Sequence, residues 1–153
     1  MPGDRFPHMN PLHLVRQVTA LTGFTHAAGV EVLSAEPGKV ELQLARKPEL
    51  LQFNGYFHGG VVSGLADHAA GAAATTALPA GKIAVTVDLH VNFLAPASGA
   101  RIVARASTLQ VGNTLCVVSV TVETEAETGP RLCAVANAVL RVVDMPRFQA
   151  PGP

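Results

Sequence analysis

Hydrophobic and polar positions change period several times along this chain, and each change predicts an element. Asn10-Pro11 opens a short helix, with asparagine as the cap and proline at the first helical position. Leu14, Val18 and Leu21 fall on one face with Val15 beside them, and Gly23 is the natural stop. Strands follow at 29–36 and 39–46, around the turn pair Pro37-Gly38. In the second, Val40, Leu42 and Leu44 alternate with Glu41, Gln43 and Ala45, the period of two of a half-buried strand. An irregular connection spans 47–57. From His58 to Ala77 the chain is rich in alanine and glycine with no polar face, which predicts a helix buried all round. Pro79-Ala80-Gly81 ends it.

Four strand-like runs remain, at 82–94, 100–111, 115–125 and 131–143. In the first, Ile83, Val85, Val87, Leu89, Val91 and Phe93 alternate with Ala84, Thr86, Asp88, His90 and Asn92. The connections, around Pro96, Gly112-Asn113 and Gly129-Pro130, are short, so all four strands are expected to pair antiparallel. The pattern is α+β: an antiparallel sheet of five to six strands wrapped around one long helix. Residues 1–24 read as an arm and short helix, 25–145 as one domain, and 146–153 as a disordered tail.

Composition narrows the function classes. Hydrophobic residues are 48% of the 153 but charged ones only 14%, against a usual ~25%. So little charge leaves apolar surface to hide, which favours an oligomer. The 11 basic and 11 acidic side chains cancel, which argues against a nucleic-acid partner and against a polybasic membrane surface. Cys116 and Cys133 lie in apolar runs and read as small buried hydrophobes in a reducing, cytoplasmic setting. The first residues lack the apolar run of a signal peptide. The stretch from Gly59 to Ala80 could reach across a bilayer, but Asp67 and His68 stand in its middle, so no membrane span is expected.

Candidate chemistry concentrates at Asn54-Gly55-Tyr56-Phe57-His58-Gly59-Gly60 and Asp67. The glycine pair falls where the long helix begins. Bare N–H groups and the positive end of the helix dipole can hold an oxygen that gains negative charge there. Asp67 is the only carboxylate in an apolar helix, so it needs a partner or a task. Nine residues of helix separate His58 from Asp67 by roughly 13–14 Å at ~1.5 Å per residue. If both serve one site, two antiparallel helices from two chains must meet there. Plainer readings stand beside these: His58 as a helix cap, the glycines as close packing, Asn54 as a turn residue, Thr86 as an ordinary strand residue. His58, Asp67, His68, Asp88 and His90 lack the spacing of a zinc site, Ser63 lacks a nucleophile elbow, and no phosphate-binding loop occurs. No metal and no cofactor is expected.

Asn54-x3-His58-Gly59-Gly60 with an aspartate nine residues after the histidine resembles the hotdog-fold acyl-CoA thioesterases. The aspartate on the long helix is most similar to the phenylacetate-degradation (PaaI) type and the related Them2 type. The strand through Val91-Asn92-Phe93-Leu94-Ala95-Pro96 resembles the same family. The resemblance implies a hotdog fold, hydrolysis of an acyl-CoA with coenzyme A as part of the substrate, and a site formed by a homodimer within a homotetramer. It implies that Gly59 donates its N–H to the thioester oxygen and that Asn54 positions that carbonyl. Asp67 of the partner chain would be nucleophile or general base, Thr86 would orient water, and His58 would bond near the thioester. Gly60 and Asn113 are the expected substrate contacts. Phe53, Tyr56 and Phe57 favour a small aryl or medium-chain acyl group. The rivals are a hotdog enoyl-CoA hydratase or dehydratase and a non-catalytic acyl-CoA-binding module.

Overall fold

The computed structural model describes residues 10–21 and 23–146; the expected arm at 1–9, and all of the expected tail except Pro146, lie outside them. Helix α1 (Pro11–Thr19) begins as the sequence predicts: the Asn10 side chain accepts from the Leu12 N–H at 2.9 Å, with Pro11 in the first turn. It ends four residues before Gly23. That glycine instead opens a second short helix, α2 (Phe24–Ala28), which Gly29 closes at φ +82°. A left-handed residue cannot begin a strand, so β1 starts at Glu31 and runs to Glu36. The buried residues of α1 are Val15 and Thr19, and the helix packs mainly on β1, while Val18 and, just past its end, Leu21 are exposed.

Strand β2 (Lys39–Ala45) follows, then a short 3-10 turn at Pro48–Leu50 and the long helix α3 (Gly59–Thr76). Strands β3 (Lys82–Phe93), β4 (Arg101–Val111), β5 (Leu115–Ala126) and β6 (Gly129–Asp144) complete one antiparallel sheet in the order β1-β2-β4-β5-β6-β3. The expected pairing of β3 with β4 does not occur. Their link contains Pro96 and is pinned to two different strands: Leu94 N–H donates to Cys133 O of β6, and Arg46 N–H to Ala100 O. It is a crossing, not a hairpin. It leaves β3 at the sheet edge beside β6, while β4 enters between β2 and β5.

The sheet's inner face packs on α3. Val62, Leu65, Ala66, Ala69, Ala70, Ala73 and Ala74 form the buried stripe of the helix. Their small side chains let the sheet approach the helix backbone. Leu42 and Leu44 of β2, Ile102 of β4, Val118 of β5 and Leu140 of β6 fill the space between, fully buried. Each such side chain stabilises by about 1.5–3 kcal/mol. The helix is not buried all round within one chain: Ser63, Gly64, Asp67, His68 and Gly71 are half-buried. No helix among the described residues is long and apolar enough to cross a membrane.

Strand β3 departs from its sequence pattern in a way that matters for the site. Thr86 pairs with Leu140 but Asp88 pairs with Val139, so Val87 is an extra residue in the ladder, a β-bulge. The bulge reverses which phase faces inward. Before it, Ala84 and Thr86 point toward α3; after it, Leu89 and Val91 do. Thr86 therefore does not share a face with Asp88 and His90, and Val85 and Val87 stand exposed on the outer side.

Candidate active site

The start of α3 is built by local rules. Gln52 N–H bonds Tyr56 O, Gly55 N–H bonds Gln52 O, and Leu51 bridges to Phe57, closing a small hairpin. Asn54 and Gly55 form its tip, and Gly55 supplies the left-handed residue at φ +83°. The Asn54 Oδ1 accepts from the Tyr56 N–H at 3.3 Å, which leaves its exposed amide Nδ2 as a free donor. Arg46 steadies this tip from outside. Its guanidinium donates to Gly55 O and, at 3.2 Å, to Ser98 O, tying the hairpin to the β3–β4 crossing.

His58 caps the helix: its Nδ1 accepts from the Gly60 N–H at 2.9 Å. The Val61 and Val62 N–H groups bond His58 O. Among the described residues the Gly59 N–H has no partner, the one donor of the first turn left for a ligand. The Phe93 ring lies over it, and a Cβ at Gly59 would meet that ring at 3.3 Å. Gly59, Asn54, Tyr56 and Phe93 line a cavity of about 550 Å³.

Two turns along α3, half-buried Asp67 accepts from the Thr86 Oγ1 at 2.7 Å. The bulge at Val87 makes this contact possible. Next to it, His68 Nε2 lies 2.9 Å from the Thr19 Oγ1 at the end of α1. Burial pushes the His68 imidazole below its usual pKa, more than the neighbouring Asp67 raises it. Asp67, His68, Gly71 and Thr86 line a second cavity of about 440 Å³, walled by Leu14 and Val18 of α1. The Cys133 thiol is buried and pushed up to about 11.

Within one chain the expected residues therefore fall into two groups. Asp67 meets Thr86 in one cavity; Asn54 and Gly59 share another, with His58 and Gly60 joined to each other beside it. Asn113 is exposed in the β4–β5 turn, outside both cavities. Among the described residues no three His, Cys, Asp or Glu side chains cluster as metal ligands.

This arrangement has relatives. Residues 54–130 match the thioesterase superfamily, a span from the Asn54 tip through α3 and the strands to β6. The chain belongs to the thioesterase superfamily. As a thioesterase it is 31% identical over 116 residues to the 1,4-dihydroxy-2-naphthoyl-CoA hydrolase of Listeria monocytogenes, covering 74% of this chain and 94% of that one. It is 30% identical over 115 residues to human acyl-coenzyme A thioesterase 13, covering 74% and 81%. A thioesterase family protein from Silicibacter pomeroyi superposes with a TM-score of 0.84 at 31% identity, over 89% of this chain and all (100%) of that one. The fold is the hotdog fold of these thioesterases: the six-stranded sheet curled on α3.

Sequence reasoning passed over two features of the thioesterase. Arg46 carries no motif; its position just after β2 was the available signal. Thr19 escaped because it sits on what reads as the polar side of α1.

Proposed function

We propose that the protein is an acyl-CoA thioesterase of the PaaI and Them2 type, cleaving a small aryl or medium-chain acyl-CoA at a site shared by two chains of a homodimer. The observation that carries this reading is the division of the candidate residues. A carboxylate with a hydroxyl partner lies in one cavity, and a free helix N–H with an amide donor lies in another. Neither group alone can hydrolyse a thioester. A two-fold axis that lays two α3 helices antiparallel brings Asp67 of one protomer to Gly59 of its partner and makes two equal sites. The open edge of β3, with Val85 and Val87 exposed beside Thr86, offers the surface for that pairing.

In this reading the Gly59 N–H donates to the thioester oxygen as it becomes an oxyanion, aided by the dipole of α3. Asn54 Nδ2 points the carbonyl. Asp67 delivers the attack, either by taking a proton from water held against Thr86 or by its own oxygen, in which case water then hydrolyses the acyl–Asp67 anhydride to free acid and carboxylate. The C–S bond breaks, and the CoA thiolate leaves and takes a proton. The relatives named for aryl-CoA and acyl-CoA hydrolysis support the substrate class. Exposed Leu109, Val111, Leu115 and Leu132 support pairing of dimers into a tetramer. The two free, buried cysteines fit a reducing cytoplasm.

The test is CoA release from a panel of aryl and aliphatic acyl-CoAs, by wild type and Asp67→Asn. Turnover of some members, lost in the variant with binding retained, supports the reading. Binding without turnover by wild type would replace it with an acyl-CoA-binding module, and hydration of crotonyl-CoA with a hydratase. In single turnover in ¹⁸O water, label found on Asp67 establishes the nucleophilic route, with the anhydride opened at the aspartyl carbonyl.

A further inference from the structure

The cavity beside Asp67 has one wall that the sheet and α3 do not supply. Helix α1 turns Leu14 and Val18 toward it, opposite Ala84 and Thr86 of β3. The other cavity carries Gln52, Asn54 and Tyr56 on its rim, beside an apolar lining that includes Phe57, Val62 and Phe93. At about 440 Å³ the α1 cavity is in the range of small-ligand sites, ~300–1,000 Å³. A group that Asp67 attacks must place its carbonyl carbon at the mouth of this cavity, so the apolar remainder of an acyl group can extend into it.

The fastening of α1 is specific. Its last residue, Thr19, is buried at 3% exposure, and its hydroxyl meets His68 Nε2 at 2.9 Å. The Thr25 hydroxyl in turn donates to Thr19 O at 3.0 Å. Phe24 of α2 lies against Gly64, where a Cβ would meet its ring at 2.9 Å. The N-terminal helices are thus strapped along the open side of α3, and the residue that holds α1 follows the candidate catalytic carboxylate directly.

We propose that α1 is the selective wall of the acyl pocket, with Leu14 and Val18 deciding which acyl groups fit and His68 acting as the positioning residue that holds the wall through Thr19. This rests on the thioesterase reading. Leu14 is half-buried and Val18 exposed, so changing either spares the core.

The test measures binding of S-butyl-, S-octyl- and S-dodecyl-CoA thioethers, which cannot be hydrolysed, alongside kcat/KM for the matching acyl-CoAs. Leu14→Ala and Val18→Ala should each raise the dodecyl-to-butyl affinity ratio about tenfold, and Leu14→Trp should lower it. One methylene is worth about fourfold, ~0.8 kcal/mol, so tenfold asks for a change in fit of fewer than two methylenes. Affinity for CoA itself should not move. His68→Leu should flatten the chain-length profile of thioether binding, and His68→Gln should restore it by offering a polar atom near the same place.

Ratios unchanged within about twofold in Leu14→Ala and Val18→Ala overturn the proposal. So does a loss shared equally by all three thioethers and CoA, or a shift in the dimer dissociation constant at constant ratios, which would mean that a second copy fills the groove. If wild type turns over no acyl-CoA, the thioesterase reading fails separately, while the thioether ratios still decide what α1 does.

Discussion

Thr86 donates to the Asp67 carboxylate because Val87, immediately after it, is surplus to the β3–β6 ladder. Without the bulge, Thr86 could face α3 only if the exposed side of β3 carried its apolar phase throughout. A hydrogen bond to a charged group is worth about 1.5–3 kcal/mol. Thr86→Val should lower kcat about ten- to a hundredfold, and Thr86→Ser should retain most activity. Asp67→Asn should cost about 10²–10⁴-fold, the usual weight of a positioned general base. Steady-state kinetics on the best acyl-CoA checks all three.

Gly59 faces the Phe93 ring closely enough that a methyl group would press on it. Gly59→Ala keeps the N–H but obstructs the approach to it, and should reduce kcat/KM about tenfold, ~1.4 kcal/mol. Trimming the ring in Gly59→Ala/Phe93→Leu should recover part of that loss. No recovery would mean that the methyl group obstructs the substrate itself.

Arg46 ties the Asn54 hairpin to the β3–β4 crossing through two carbonyl groups. Arg46→Ala should free both loops. Hydrogen exchange over residues 52–57 should quicken and KM rise several-fold, with little change in melting temperature because the side chain is exposed.

The burial of His68 makes stability depend on pH. The folded protein holds this imidazole below its usual pKa, so the unfolded chain binds the proton first as pH falls through about 6.5. The stabilisation is fully present above that pH and declines below it. Thermal melts from about pH 7.5 to about pH 5.5 should show a falling midpoint. His68→Gln should flatten the slope; an unchanged slope would assign it to other groups.

Gly99 leaves no room for a side chain: a Cβ would lie 1.8 Å from Glu125 O. Its N–H also donates to the buried Thr124 hydroxyl at 2.8 Å. Gly99→Ala should destabilise by about 1–3 kcal/mol, as overpacking does, read as a lower midpoint in chemical denaturation.

The elements were legible where one local signal governs them. The cap at Asn10, the alternation in β2 and the α3 helix that begins at the glycine pair lie within a residue or two of where the pattern places them. What was not legible depends on partners distant in sequence. Whether Gly23 ends one helix or begins another is decided by where α1 docks on β1. The bulge at Val87 is invisible because the alternation of β3 continues unbroken in letters while the backbone slips by one. At the site, Asp67 announced itself as a lone carboxylate in an apolar helix. Its neighbour His68 offered no such contrast until Thr19 was placed against it.

Strand β3 is 12 residues long and ends the sheet with Val85 and Val87 turned outward. An uncovered strand of this kind is a template on which further chains can add backbone to backbone. The edge that the proposed dimer covers becomes a hazard when bare. Variants that weaken association should therefore fail as precipitates during purification before they fail as enzymes, and a charged residue at Val87 should keep such variants in solution.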